Sequence, residues 1–337
     1  MGQRIKYFDI AKAIGIIAII YGHLNEYLFL SVMSFHVPIF FVISGYFLSQ
    51  KRSYKEYACQ KARELLIPYF ATGVVLIILA LVRGIYYGGA GIGCREAVTM
   101  LLEVLYGSGS VSLNRPIVVY AVGAIWFLWA LFWSLLIVKF AIHRKWSVLY
   151  VAGSVLAGML ISRFAWLPLS LLAGMVCAGY VYIGYCAHQY IWKKEIQWSY
   201  GKKLVTCVVL LFAWYIYRYH FAGFVGCVSN RYEHGIRDGI GTLVAVTFII
   251  FLSDTVIDHI PVVRDILCWI GRHTLQILCV HMIDLRFFPW DGIVNYVTDH
   301  EKAQYILLLI CKVTLYSVIV WIWDCLKKKY QSHTDGR

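Results

Sequence analysis

Long apolar runs recur along the whole chain, and they constrain its fold more than any other feature of the sequence. A transmembrane α-helix needs about 20 mostly apolar residues, and the 337-residue sequence contains ten candidate runs of about 18 to 25 residues. The predicted spans are residues 8–28, 32–49, 64–85, 120–141, 147–163, 166–188, 203–219, 239–257, 264–285 and 303–326. The predicted fold class is therefore all-α, a polytopic membrane protein with about ten transmembrane helices.

The composition excludes an ordinary soluble protein. Hydrophobic residues make up 61% of the chain and charged residues 15%, whereas soluble domains are about half apolar and about a quarter charged. The net charge of +13 could indicate a nucleic-acid partner. However, the Lys and Arg residues lie in short loops between the apolar runs, where cytoplasmic loops of membrane proteins carry them. We therefore expect contact with membrane lipid and no nucleic-acid partner.

The distribution of basic residues also predicts the orientation. With ten spans, most Lys and Arg fall on the side that carries both termini, and the opposite loops at 86–119 and 220–238 are poorer in charge. This predicts a multi-pass protein of the cell (plasma or inner) membrane with both termini in the cytoplasm. Residues 1–330 are expected to form a single membrane-embedded domain, and 331–337 a short cytoplasmic tail. The Gly-rich 86–119 stretch predicts an outer loop or lid.

Polar side chains inside the first span are the strongest indication of function. Lys12 and His23 are eleven residues apart, so in a helix they lie within about 20° of one face and about 16 Å apart along the axis. Asp9 and Glu26 fall close to the same face. Charged groups within a membrane usually face protein or a cavity rather than lipid. This face is therefore predicted to lie against protein or to line a cavity.

His23 is the strongest candidate for chemistry. A neutral imidazole can take a proton from a hydroxyl group and return it to a leaving group, and Glu26, one turn further on, could orient the ring or accept its second proton. The alternative is a histidine that only hydrogen-bonds between helices. Lys12 could hold a phosphate-bearing donor at the cytoplasmic face, or it could be a lysine that reaches towards the membrane interface.

Other polar residues are predicted to lie at a similar depth. The predicted topology places His36, at the start of the second span, and the pair His281 and Asp284, near the end of the ninth, in the outer half of the membrane with His23. The alternatives are interfacial anchoring for His36 and an interfacial helix end for the other two. All three are candidate lining residues of a substrate site.

Three further residues complete the candidate set. Arg63, in the loop that follows the second span, could add to a cytoplasmic phosphate site. Ser44 and Trp126 could line the substrate site, although helix packing accounts more readily for Ser44, and an interfacial or core position for Trp126. The ten cysteines show neither metal-ligand spacing nor a disulfide framework, and no metal is predicted.

The chain resembles the integral-membrane acyltransferase 3 family, and within it the fucose 4-O-acetylase-like branch. The resemblance rests on five motifs in the family's order and spacing: YFDIAKAIGIIAIIYGH, FHVPIFFVISGYFLS, KARELLIPY, AIWFLWALF and GRHTLQILCVHM. No motif is rare alone, but the ordered set is fairly specific and covers essentially the whole chain. The resemblance implies a ten-helix acyltransferase 3 domain that takes an acyl group, usually acetyl, from cytoplasmic acetyl-CoA.

The resemblance also implies the acceptor and two site residues. The acceptor would be a carbohydrate hydroxyl, often on a glycan of the cell envelope. The family's essential histidine maps onto His23, and its basic motif residue onto Lys12, where many members have Arg. Some relatives carry a soluble hydrolase-like domain that completes the transfer. The sequence shows no such domain, so it leaves open whether a glycan-assembly protein takes that role.

The predicted function is therefore a membrane O-acyltransferase, an enzyme that transfers acyl groups other than aminoacyl groups. Acetyl-CoA is the expected donor, and a carbohydrate or lipid-linked glycan is the expected acceptor. The alternative is a small-solute transporter, which ten helices with intramembrane charges would permit, although no inverted repeat or broken-helix pair is visible in the sequence. A non-catalytic scaffold in glycan assembly is a third possibility, and it predicts that the polar face of the first span tolerates substitution.

Overall fold

The computed structural model describes residues 5–24, 29–110, 120–191, 198–288, 290 and 301–334. Most of this part of the chain is helical, which confirms the predicted all-α class. Its only strands, β1 (Val225–Gly226) and β2 (Arg231–Tyr232), pair antiparallel in a short hairpin. The helices are α1 (Lys6–Gly22), α2 (Phe29–Met33), α3 (Pro38–Tyr46), α4 (Tyr54–Lys61), α5 (Ile67–Tyr106), α6 (Trp126–Ala141), α7 (Ser147–Ile161), α8 (Leu171–Cys186), α9 (Tyr200–His220), α10 (Ile236–Thr255), α11 (Pro261–Arg272), α12 (Thr274–Phe287) and α13 (Glu301–Thr334).

Several of these helices can cross a membrane. Within the described ranges, six helical segments are long and apolar enough, of which Phe29–Tyr46 combines α2 with α3 and Tyr54–Tyr106 combines α4 with α5; a bent pair, α11 and α12 at 71°, would make a seventh. The apolar helices α6 and α7 are shorter, and α1 has 17 residues. The multi-pass membrane class is therefore confirmed, whereas the count of about ten spans stays a prediction.

A proline divides the second predicted span into two short helices. α2 ends at Met33, and Pro38 is the first residue of α3. Proline lacks a backbone N–H and its ring fixes φ near −65°, so it can begin a helix but disrupts one that it interrupts. The four-residue connection, 34–37, carries His36.

The predicted outer loop at 86–119 is wrong over much of its length, because α5 continues to Tyr106. The helix reverses at Gly88 and Gly89, where Gly89 has a φ of +80° that favours glycine. Its two halves then run side by side, and a Cβ added at Gly84 would lie 2.7 Å from Gly93 Cα. The glycines that suggested a loop in fact allow a tight turn and close contact between two helices.

Small residues also fix the helices around the site. At Gly45 of α3 and Gly184 of α8, an added Cβ would overlap a backbone carbonyl of the other helix. Gly271, near the end of α11, is equally close to the backbone of Asp9 in α1. Membrane helices associate through such close packing, because lipid gives them little hydrophobic drive to do so. The contact between α1 and α11 fixes the point from which α12 departs.

The starts of α1 and α4 lie at the same end of the bundle as the ends of α3 and α6. The ring of Phe8 lies 4.5 Å from that of Tyr46. Lys139, near the end of α6, donates to the carbonyl of Ser49 just after α3 and lies over the ring of Tyr57 in α4. We call this end, defined by Phe8, Ser49 and Lys139, the basic end of the bundle.

Candidate active site

Two histidines meet where α1 ends against α12. His23 is the residue that follows α1, and its ring centroid lies 5.3 Å from that of His281 in α12. His281 is completely buried, whereas His23 is exposed. His23 therefore carries accessible surface, and the second imidazole lies beside it.

A chain of hydrogen bonds runs from His281 into the protein. Its Nδ1 lies 3.3 Å from the hydroxyl of Tyr316, and that hydroxyl donates to Oδ2 of Asp284 at 2.6 Å. Because the only hydroxyl proton of Tyr316 goes to a carboxylate, its oxygen must accept from Nδ1–H of His281. A neutral His281 then carries its lone pair on Nε2. That atom is buried and has no hydrogen-bond partner among the described residues.

Asp284 is the centre of this network. Its Oδ2 also accepts a hydrogen bond from Lys312 Nζ, and its Oδ1 accepts one from Trp290 Nε1 at 2.6 Å. The ammonium of Lys312 lies 4.7 Å from the centre of the Trp290 ring. Asp284 is 8% exposed and Lys312 is 3% exposed. Buried charges are costly unless they are paired and hydrogen-bonded, and here the carboxylate has three donors.

His36 faces the same region from the connection between α2 and α3. Its Nδ1 donates to the carbonyl of Val32 at 3.0 Å, which leaves Nε2 as an acceptor in the neutral ring. It lies within range of an electrostatic interaction with His23. Two contacts hold this segment against α9, because Trp214 Nε1 donates to Ser34 at 3.1 Å and Arg218 donates to Ser31 at 2.8 Å. Glu26 lies outside the described residues.

The candidate donor-binding residues lie far from the histidines, at the basic end. Lys12 Nζ is 2.8 Å from Oδ1 of Asp9, which is itself buried. Arg63 is exposed in the π-helical turn between α4 and α5. An eleven-residue helical step places Lys12 about 16 Å from His23 along the axis of α1. The structure therefore pairs Lys12 with Asp9 well below His23 along α1, and places Arg63 in the turn that follows α4.

The remaining two candidates contribute to packing. Ser44 is half-buried in α3. Trp126 is buried at the start of α6, where its ring contacts Gly109 and lies 6.4 Å from the ring of Phe127. Both positions agree with the packing alternative more than with a surface for substrate. Among the described residues, no group of three or more His, Cys, Asp or Glu side chains could hold a metal ion.

The predicted position of the histidines in the outer half of the membrane stays a prediction, although the helix that carries His281 differs from the one expected. Tyr316, which contacts His281, sits at the middle of the 28-residue candidate span Lys302–Lys329. The prediction of an outer-half position assumed one continuous helix over 264–285. The 71° bend between α11 and α12 instead makes His281 a central residue of a short helix.

The sequence also missed part of the network. Lys312 and Tyr316 were not among the predicted site residues, although a lysine inside the apolar run ILLLICKVTLY was a signal. Trp290 carried no such signal. The predicted pairing of His281 with Asp284 is indirect, because the hydroxyl of Tyr316 joins them.

A second group of charges connects α5 to the far end of α12. Arg286 donates a hydrogen bond to the buried carboxylate of Glu103. Arg83 pairs with Glu96 at 3.1 Å and also lies 3.4 Å from the backbone carbonyl of Arg286. These contacts join both halves of α5 to the helix that carries His281.

Comparison with known protein families gives a match over residues 5–323 to the acyltransferase 3 family, whose model is described as an acyltransferase domain. The chain belongs to this family. The predicted family is thereby confirmed, and the domain it names is an acyltransferase domain. The match includes α1, with Lys12 and His23, and the part of α13 that carries Lys312 and Tyr316.

Among curated proteins, this acyltransferase 3 chain is similar to the nodulation protein NolL of Mesorhizobium japonicum. The two are 26% identical over 231 residues, which is 62% of this chain and 54% of NolL. The chain therefore spans about half the length of that relative. A comparison with solved structures found no match.

Proposed function

We propose that this protein is a membrane O-acyltransferase that moves an acyl group, acetyl in the simplest case, from cytoplasmic acyl-CoA to a hydroxyl of a carbohydrate or cell-surface glycan. The observation that carries the proposal is the contact between His23 and His281. One imidazole is accessible, and the buried one behind it keeps an unpartnered Nε2. Family membership supplies the acyl chemistry, and the histidines supply groups that can move a proton.

The donor would bind from the basic end. The phosphates of coenzyme A suit exposed cations there, and Arg63 has no ion-pair partner among the described residues. Lys12 would add to this site, although the carboxylate of Asp9 offsets its positive charge. The pantetheine arm is comparable in length to the separation of about 16 Å between Lys12 and His23. The thioester can therefore reach His23 while the nucleotide stays at the mouth, which we assign to the cytoplasmic side.

The reaction would use His23 as general base. His23 takes the proton of the acceptor hydroxyl while the hydroxyl oxygen bonds to the thioester carbonyl carbon. The carbon–sulfur bond then breaks, and the proton passes to the leaving thiolate, which gives the ester and free coenzyme A. A transient acyl-imidazole on His23 is the variant of this scheme. Assistance from Glu26 stays part of the proposal.

The acceptor would approach from the opposite side, past His36. This orientation places both termini in the cytoplasm of a cell-membrane protein, as the basic loops predict. The acceptor is a carbohydrate or a lipid-linked glycan, and a glycan-assembly protein would deliver it or complete the transfer. Mass spectrometry of surface glycans from cells with and without the chain would identify it through the lost acyl esters.

Radiolabelled acetyl-CoA and the purified protein in detergent test the chemistry. We expect the His23→Ala variant to lose transfer or hydrolysis of acetyl by at least about 100-fold, since general-base catalysis contributes 10²–10⁴-fold. His259→Ala is the matched control, because His259 is an exposed histidine whose ring lies against that of Tyr200, a residue outside the proposed site. Wild-type rates in His23→Ala would remove the proposal.

A small-solute transporter stays the second candidate, because one observation favours it. The sequence showed no broken-helix pair, but the structure has one at the 71° bend between α11 and α12, and broken helices line the sites of many transporters. Sealed vesicles distinguish the two functions. A transporter moves labelled solute across the membrane without breaking the thioester, whereas the enzyme consumes acetyl-CoA in detergent, where no compartments exist.

A further inference from the structure

We propose that Tyr316 and Lys312 are positioning residues that fix which nitrogen of His281 carries the proton. The proposal rests on the function proposed above and adds two residues of α13 to its site. Neither residue is expected to touch the substrate. Together with Asp284 they would keep Nε2 of His281 without a hydrogen, so that His281 can share the proton that His23 takes from the acceptor hydroxyl until that proton passes to the leaving thiolate.

The direction of the hydrogen bonds carries this inference. Tyr316 has one proton, and a carboxylate oxygen 2.6 Å away accepts it. The phenolic oxygen can then only accept from His281 Nδ1, 3.3 Å away. If the hydroxyl pointed the other way, Nδ1 would be the acceptor and Nε2 would carry the hydrogen. The same dependence of a histidine tautomer on a buried partner is known from other enzymes, where the wrong tautomer lowers kcat by about 10⁴-fold.

Lys312 determines whether Asp284 is an acceptor. Its ammonium donates to Oδ2, the same oxygen that accepts from Tyr316. A buried carboxyl group without a cation favours its neutral form. A protonated Asp284 could donate to Tyr316, reverse the hydroxyl and place the hydrogen on Nε2 of His281. The lysine therefore acts on His281 through two intermediate groups.

The histidines that surround His281 allow its Nε2 to accept one proton. His23 faces His281 from α1, and His36 approaches from the connection between α2 and α3. Two imidazoles 5.3 Å apart disfavour a positive charge on both rings. The pair therefore holds at most one extra proton, and the chain of hydrogen bonds from Asp284 prepares His281 to share it.

Kinetics of the full-length protein in detergent test the role of Tyr316. We expect Tyr316→Phe to lower kcat for acetyl-CoA consumption by about 10–100-fold, the range found when the hydrogen-bond partner that orients a metal-bound histidine is removed. KM should stay within about twofold of wild type, because Tyr316 does not contact the donor, and the pH profile of kcat should shift. Tyr57→Phe is the matched control, since the Tyr57 hydroxyl is also buried but has no partner among the described residues.

Conservative replacement tests the role of Lys312. Lys312→Arg keeps a cation beside Asp284 and should retain activity within about tenfold, whereas Lys312→Met should lose as much as Tyr316→Phe or more. Equal loss in both Lys312 variants would overturn the assigned role of the charge. An unchanged pH profile in Tyr316→Phe would overturn the assigned role of the hydroxyl.

A spectroscopic test does not depend on activity. Nitrogen-15 NMR of histidine-labelled protein, with His281 assigned by its loss in His281→Gln, reports the tautomer directly. We expect the wild type to carry hydrogen on Nδ1, and Tyr316→Phe to show a mixture. Hydrogen on Nε2 in the wild type, or an unchanged tautomer in Tyr316→Phe, would overturn the inference. An inactive wild type with the expected tautomer would instead count against the proposed function alone.

Discussion

Lys139 and Lys312 are both buried among apolar helices, but their charges meet different partners. Lys139, which has no exposed surface, donates to the backbone carbonyls of Ser49 and Gln50 at 2.8 and 3.3 Å and lies over the ring of Tyr57. No carboxylate lies within ion-pair distance of it in the described part of the chain. Lys312 instead pairs with Asp284.

The difference shows what a buried cation can do in such a bundle. The carbonyls that Lys139 contacts lie three and four residues beyond the end of α3, outside any helix, and they satisfy the buried ammonium. Lys139 therefore stabilises the junction of α3, α4 and α6. The carboxylate that Lys312 contacts also accepts from Tyr316, which in turn contacts a histidine. Lys139 contacts backbone carbonyls and an aromatic ring, whereas Lys312 contacts a carboxylate that is hydrogen-bonded towards His281.

Removal of Lys312 should give the largest effect. Lys312→Met leaves Asp284 buried without its cation, which typically costs about 3–5 kcal/mol of unfolding free energy, and it should lower acetyl transfer by at least about 100-fold. Thermal unfolding in detergent and radiolabelled acetyl-CoA measure the two quantities. Loss of stability with wild-type kcat would show that Lys312 resembles Lys139 and has a structural role only.

Removal of the opposing charge should separate stability from activity. In the double variant Lys312→Met, Asp284→Asn, the amide oxygen still accepts hydrogen bonds but no unpaired charge remains. We expect it to recover at least about 2 kcal/mol of the loss in Lys312→Met, within the usual range of coupling between contacting residues. Acetyl transfer should stay low. Recovery of both quantities together would contradict a specific role of the ion pair.

The corresponding change at Lys139 should affect stability alone. Lys139→Met removes two charged hydrogen bonds to carbonyls and should cost about 1–3 kcal/mol. In the protein that remains folded, kcat and KM for acetyl-CoA should stay within about twofold of wild type. A fall in kcat comparable to that of Lys312→Met would erase the distinction between the two lysines.

The smallest effect is expected at a third, partly exposed lysine. Lys12 pairs with Asp9 and keeps 24% of its side-chain surface. Exposed pairs contribute about 0–1 kcal/mol, so Lys12→Gln should raise KM for acetyl-CoA by about two- to fivefold at low salt and leave kcat unchanged. Titration of KM against ionic strength checks this. A loss of kcat instead of a rise in KM would place Lys12 in the chemistry and not at the donor mouth.

The sequence predicted the class of fold well because long apolar runs have few alternatives in a membrane. It also identified α1, which begins at Lys6 and ends just before His23. The prediction was wrong at glycines, because glycine occurs both in loops and at tight turns between closely packed helices. At Gly88 and Gly89 the composition indicated a loop, whereas the structure uses these residues to reverse α5.

The sequence predicted the relative positions of site residues only where those residues lie on the same helix. The eleven-residue step from Lys12 to His23 gives both their shared face and their separation, because helix geometry is regular. The link from His281 to Tyr316 depends on how α12 and α13 are rotated against each other, and no periodicity within one helix encodes that. The bend after Arg272 was also not predicted, because residues 264–285 form one continuous apolar run in the sequence.

The most direct test is a structure of the full-length protein with a non-hydrolysable acyl-CoA analogue. We expect the nucleotide phosphates at the basic end near Arg63 and Lys12. We also expect the carbonyl carbon of the analogue beside His23, with room for an attacking oxygen at the reactive separation of about 3–3.5 Å. A nucleotide bound at the opposite end, past His36, or an acyl group out of reach of both His23 and His281, would contradict these expectations.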